Sequence, residues 1–402
     1  MGLTFFKDMK ILLILNNFTK HLGIEKYALE LAKYYTKEHK VHLLTSISDL
    51  SLNEYYNIPN LVIYKKKTSI RKPYWLQLLI NAYLNTKHTK DLKNKLKIDV
   101  VHSGNSWESR SCDIVTIHSC YRAWLKTANE ALRKESFYLK YLLYKIRRWL
   151  LPKNRVQLSV EKDVLERGSK KIIVASEVLK RDILENYNVP EEKIVVIPFG
   201  VNLDEFKPDL KKRLEIRKKH NIDENDIVLI LSGYEFKRKG LKYIIEALPL
   251  VKGNVKILAV GEESPKRYEE LAISLGVLDK IIFTGFAPEI KDYYAASDIY
   301  ILPTTYEPFG IVVLEAMASG LPVIISKLAG SAEIIKNGYE GLLLDNPTNS
   351  KEIAEKMNLL ISNKDLRKQM GENAYKTAQK YSWEETARKT LKVYQEILTT
   401  KN

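Results

Sequence analysis

Short apolar runs alternate with longer amphipathic stretches along most of this 402-residue chain. In the first half the apolar runs fall at 10–15, 40–45, 61–64, 98–102, 113–119, 171–176 and 193–198. In the second half they fall at 226–232, 255–260, 280–284, 298–302 and 322–326. Each is rich in Val, Ile and Leu and lacks a polar face, which predicts strands covered on both sides. Between the first two runs, Ala28, Leu31, Ala32 and Tyr35 recur at helical spacing, and Leu241, Ile244, Ile245 and Leu248 repeat that stripe later. Strands alternating with helices predict parallel sheets. Two such series predict two doubly wound α/β domains, at 1–200 and 201–381, with the turn-rich stretch 198–209 between them. A last helix at 382–402 carries a Ser382/Glu385 capping box and a stripe of Trp383, Ala387, Leu391, Tyr394 and Leu398.

Composition narrows the class. Hydrophobic residues make up 45% and charged residues 28%, as in a soluble protein with a core. No run approaches the ~18 apolar residues of a membrane span. The apolar stretch 11–15 is too short for a signal core, and residues 1–8 read as a loose extension. Cys112 and Cys120 flank a strand and stand too far apart to bond within one chain, in keeping with a reducing, cytoplasmic setting. The net charge of +16 is concentrated: residues 65–97 hold ten Lys/Arg against Asp91 alone, and 121–155 hold ten against Glu130 and Glu135. The second segment also carries Tyr121, Trp124, Phe137, Tyr138, Tyr141, Tyr144 and Trp149. Basic residues interleaved with interfacial aromatics suit an anionic membrane surface. A nucleic-acid surface and a plain solvated face are the alternatives. The expected partner is the membrane, with no nucleic acid.

No dinucleotide fingerprint, phosphate loop, nucleophile elbow, Asp-x-Asp pair or zinc spacing is present in the sequence. A diphosphate ligand would have to be met by side chains and backbone, so neither a metal nor a cofactor is expected. Arg238 and Lys239 stand at a glycine-marked helix entry, where Arg can fork onto phosphate oxygens and Lys adds a point charge. The alternative is a solvated basic loop. Phe309, Gly310 and Ile311 open a predicted helix over 311–319, whose first N–H groups suit phosphate. Glu315 lies inside that apolar helix, where a ribose diol could offset its desolvation; an ion pair with a buried Arg or Lys could do so too. Glu307 precedes the helix.

The stretch E-P-F-G-I-V-V-L-E-A-M-A-S-G-L-P-V-I at 307–324 resembles the signature of the family-4 glycosyltransferases, retaining enzymes of the GT-B fold. The stretches at 171–208, 233–240, 281–310 and 381–397 are similar to that family as well. The resemblance implies two Rossmann-like domains facing a cleft, with the last helix crossing back to the first. It implies transfer of a sugar from a nucleotide-diphosphate donor, UDP- or GDP-linked, to a hydroxyl acceptor. Glu307 would contact the donor sugar, Glu315 the ribose, Arg238 and Lys239 the diphosphate, and Phe309, Gly310 and Ile311 would offer backbone N–H groups. Gly23 matches one of two loop glycines, the other being replaced by Leu22, and would approach the diphosphate. His118 would line the cleft beside the sugar; a satisfied core histidine is its alternative. Trp383 would be a packing anchor. The 235–240 stretch is similar to that of lipopolysaccharide-core sugar transferases, so a glycolipid or cell-envelope acceptor at the inner membrane face is expected. A GT-B nucleotide-sugar epimerase and a non-catalytic basic module are the rival functions.

Overall fold

The computed structural model describes residues 8–15, 23–45, 58–65, 74–135 and 152–400. The loop before Gly23, including Leu22, lies outside the described residues, as do residues 66–73 and Phe137, Tyr138, Tyr141, Tyr144 and Trp149. The chain forms two compact units, Met1–Pro198 with Trp383–Asn402, and Phe199–Ser382.

The first unit is built on a seven-stranded, all-parallel sheet in the order β3-β2-β1-β4-β5-β6-β7. Its strands are β1 (Lys10–Leu15), β2 (Lys40–Thr45), β3 (Leu61–Lys65), β4 (Val100–Ser103), β5 (Ile114–Ile117), β6 (Lys171–Val174) and β7 (Ile194–Val196). The continuous apolar runs are explained by burial on both faces: every residue of β4 and β5 is buried. Strand β1 sits between β2 and β4, with Ile11 opposite Val41 on one side and Val100 on the other. The order of strand addition reverses across the sheet there, which makes the carboxyl ends of β1 and β4 the switch point where open sheets bind ligands.

The second unit repeats the plan with six parallel strands in the order β10-β9-β8-β11-β12-β13. These are β8 (Ile227–Ser232), β9 (Val255–Val260), β10 (Ile281–Gly285), β11 (Ile299–Leu302), β12 (Val323–Ser326) and β13 (Gly341–Leu344). Here the switch point lies between β8 and β11. Strand β13 was not among the predicted runs. It is four residues long and begins with a glycine, because a Cβ on Gly341 would lie 2.0 Å from Val323 O.

The last helix, Trp383–Thr399, belongs to the first unit and packs on the helix Gly23–Tyr35. Tyr35 donates its hydroxyl proton to Ala387 O at 3.2 Å, and Tyr394 Oη lies 2.6 Å from His102 Nδ1. The buried face differs from the predicted stripe: Leu391 and Leu398 are only half-buried, while Thr386, Thr390, Val393 and Ile397 are buried. Two threonines can line that face because their hydroxyls are satisfied locally, Thr386 by Pro198 O and Thr390 by Thr386 O. Trp383 is buried and meets Tyr27 edge to face.

Candidate active site

The second unit gathers its charged and helix-start groups at the carboxyl ends of β8 and β11. Beyond β8, the chain makes one helical turn, Phe236–Lys239, which carries Arg238 and Lys239. Beyond β11, the segment 303–310 leads to the helix Ile311–Ala318, one residue shorter than predicted. A backbone bridge ties Glu307 to Ala329, and the N–H groups of Gly330 and Ser331 donate to Glu307 O and Phe309 O at 2.8 Å each. Phe309 is buried against Phe199. The turn that carries Glu307 is therefore pinned from both sides.

Arg238, Lys239 and Glu307 converge. Arg238 Nη1 donates to Glu307 Oε2 at 2.9 Å and to Tyr306 O at 2.7 Å, and Lys239 Nζ lies 3.2 Å from the same carboxylate oxygen. Lys239 is 4% exposed and Glu307 9%. Burial acts to raise the Glu307 carboxyl, but the two cations outweigh it and hold the group below its usual value, so it stays ionised. Burial pulls Lys239 down while Glu307 opposes that shift. Both cations use Oε2. Among the described residues, Glu307 Oε1 and Arg238 Nη2 make no hydrogen bond. A carboxylate oxygen and a guanidinium nitrogen are thus left for a ligand. A buried ion pair of the kind considered for Glu315 occurs at Glu307.

The helix start adds backbone donors. Gly310 has φ 87°, a left-handed conformation, and a Cβ there would lie 2.9 Å from Glu307 Cγ. No side chain caps this end, so the first N–H groups of the helix are open to an anion. Glu315 is one turn further in, about 6 Å along the axis from Ile311. It is 6% exposed and accepts a hydrogen bond from Tyr294 Oη at 3.3 Å. Tyr294 also lies 2.8 Å from Ser232 Oγ at the end of β8. Tyr294 was missed in the sequence: it reads there as one more apolar residue of a helix, and only its hydroxyl's placement connects it to Glu315.

In the first unit, Gly23 begins the helix that follows β1, and His118 follows β5 directly, so both stand at carboxyl ends of strands. Burial pushes the His118 imidazole down to about 4, against a hydrogen bond with the Gly104 backbone. Its ring meets Tyr27 edge to face at 5.5 Å. Tyr27 in turn lies 3.0 Å from Thr116 Oγ1, which is 2.7 Å from His102 Nε2. His102 is pushed lower still, to about 3, by burial and by its neighbour His118. The imidazole of His118 is therefore neutral at pH 7 and can exchange hydrogen bonds with hydroxyls without carrying charge.

Comparison with known proteins bears on these two halves. A family model described as glycosyl transferases group 1 matches residues 212–377, and one described as glycosyltransferase family 4 matches residues 22–205. An uncharacterized glycosyltransferase of Methanocaldococcus jannaschii is 35% identical over 231 residues, 56% of this chain and 59% of that protein. The lipopolysaccharide glucosyltransferase WaaG of Escherichia coli is 29% identical over 232 residues, 56% of this chain and 62% of WaaG. The alignments thus span about six tenths of these relatives' own length. Among solved structures, Anabaena HepE in complex with UDP and glucose superposes with a TM-score of 0.71 at 20% identity, over 96% of this chain and 100% of HepE, a likeness of fold.

Proposed function

Because the chain belongs to the group 1 glycosyltransferase family, we propose that it transfers a sugar from a nucleotide-diphosphate donor to a hydroxyl acceptor, with retention at the anomeric carbon and without a metal ion. The observation that carries this proposal is the convergence of Arg238, Lys239 and Glu307 beside the uncapped start of the helix Ile311–Ala318. Breaking the bond between the anomeric carbon and the phosphate oxygen places negative charge on the leaving diphosphate. Arg238 Nη2, Lys239 Nζ and the helix start are fixed donors for that charge, and such groups are worth roughly 3–4 kcal/mol each when preorganised. Glu307 Oε1 is the acceptor available to a sugar hydroxyl, and Glu315, one turn along the helix, suits the ribose diol. His118 and Gly23, at the carboxyl ends of β5 and β1, are the first unit's own candidate contacts for sugar and diphosphate. HepE binds UDP and glucose, which supports a UDP-linked donor, with a GDP-linked one as the second choice.

The acceptor is proposed to be a glycolipid or another cell-envelope precursor at the cytoplasmic face of a membrane. WaaG, a lipopolysaccharide glucosyltransferase, supports this class. The helix Tyr121–Glu135 also exposes the basic side chains Lys126 and Arg133, which suits an anionic surface. Among the described residues no helix is long and apolar enough to cross a membrane.

Arg238→Ala tests the donor site. Transfer from UDP- or GDP-sugars is expected to fall by at least 100-fold while the protein stays folded by circular dichroism. Undiminished turnover by the folded variant would remove Arg238 from the leaving-group role. Consumption of donor by the wild-type chain with no acceptor present, yielding an isomerised nucleotide sugar, would favour an epimerase.

A further inference from the structure

Arg238 is anchored at a second nitrogen by a residue three positions before it in the family-like stretch 233–240. Glu235 Oε2 accepts from Arg238 Nε at 2.8 Å. The backbone of Glu235 is left-handed, with φ 61° and ψ 62°, a conformation that a residue with a Cβ adopts at a cost. It stands at the cap position of the turn Phe236–Lys239, where a short polar side chain would ordinarily accept a backbone N–H. Its side chain makes no cap bond and turns to the guanidinium instead. The following Phe236 is buried and meets Tyr268 edge to face, which fixes where the turn begins.

We propose that Glu235 is a positioning residue for donor binding: it fixes the plane of the Arg238 guanidinium so that Nη2 faces the donor's diphosphate. The contacts to Glu307 and Tyr306 both fall on Nη1. Anchored at one nitrogen only, the guanidinium can pivot about it. A second anchor at Nε removes that freedom and leaves Nη2 as the one nitrogen of the fork without a partner among the described residues. The strained backbone is consistent with this role, because a glycine at 235 would fit the turn but supply no carboxylate. The sequence signal was present, since Glu235 and Arg238 stand at i, i+3, but that spacing is common on solvated surfaces.

The inference rests on Arg238 binding the diphosphate. Its test is the affinity for UDP, GDP and ADP by calorimetry, with melting temperature measured alongside. Glu235→Gly is expected to keep or raise the melting temperature, since glycine accepts the left-handed backbone, and to weaken binding of the preferred nucleoside diphosphate about tenfold. Glu235→Gln, which keeps an acceptor oxygen for Nε, is expected to recover the affinity to within about threefold of wild type. In an Arg238→Ala background, Glu235→Gly is expected to have no further effect on affinity. A loss that persists in that background, or affinity that is unchanged or tighter in Glu235→Gly alone, overturns the positioning role. An Arg238→Ala protein that binds as wild type does, or a wild-type chain that binds none of the three nucleotides, overturns the donor-site proposal itself.

Discussion

Glu307 holds two opposing roles in one side chain. Its Oε2 neutralises Arg238 and Lys239 in the unliganded site, and its Oε1 is left for a ligand. Replacing it with glutamine leaves buried Lys239 without its carboxylate and Arg238 with Glu235 alone. Glu307→Gln is therefore expected to lower unfolding stability by roughly 2–3 kcal/mol. A bound nucleoside diphosphate would supply the missing charge, so the melting temperature should rise more on adding UDP to the variant than to wild type. Equal shifts in the two proteins would show that the cations do not meet the diphosphate. Buried His102 and half-buried His118 make a second prediction. His102 and His118 titrate near 3 and 4 in the folded chain against an ordinary 6.5. Below pH 6.5 the unfolded chain takes up protons that the folded chain does not. Stability is thus full above pH 6.5 and falls as pH drops towards 4, at about 1.4 kcal/mol per pH unit for each histidine. His102→Asn should flatten this acid limb in urea titrations run from pH 7 to 4; an unchanged slope would count against it.

At the scale of elements, the helix Ile311–Ala318 was legible because its cues are local. Gly310 opens it, Gly320 and Pro322 follow its end, and its apolar run has room for one acid. The four-residue strand β13 was not, because its pairing is long-range and its glycine answers a close approach that no sequence pattern displays. The last helix shows a third case. Its existence and its return to the first unit were expected, but its buried face was misassigned at Leu391 and Leu398, because Thr386 and Thr390 look polar until their acceptors are known. Trp383 covers Tyr27, and Tyr394 bonds to His102, so that helix closes the aromatic cluster around the first unit's histidines. Ending the chain at Ser382 is expected to expose that cluster, raising binding of a hydrophobic dye and lowering the first thermal transition by roughly 4–12 °C, on the order of 2–3 kcal/mol for a domain of this size. A truncated chain that melts as the intact one would show that the helix is an ornament to the fold.

Over the whole molecule, the charge is lopsided. The net +16 is carried by two segments of the first half, and the described part of the second exposes Lys126 and Arg133. Association with vesicles of anionic lipid is expected at low salt, falling steeply as ionic strength approaches 0.5 M, where the Debye length shrinks to about 4 Å. Sedimentation that does not distinguish anionic from neutral vesicles would exclude a charge-driven membrane contact. The residue pattern by itself determined the α/β class, the two parallel-sheet series and the candidates Arg238, Lys239, Glu307, Gly310 and Glu315, because periodicity, turn glycines and misplaced charges are all local in sequence. Only the tertiary structure decided which of them meet. Hydrogen bonding and ion pairing depend on distances of a few ångström between strand ends far apart in the chain. These distances join Glu307 to Arg238 and Lys239, give Glu315 a tyrosine partner and bring Glu235 into the site.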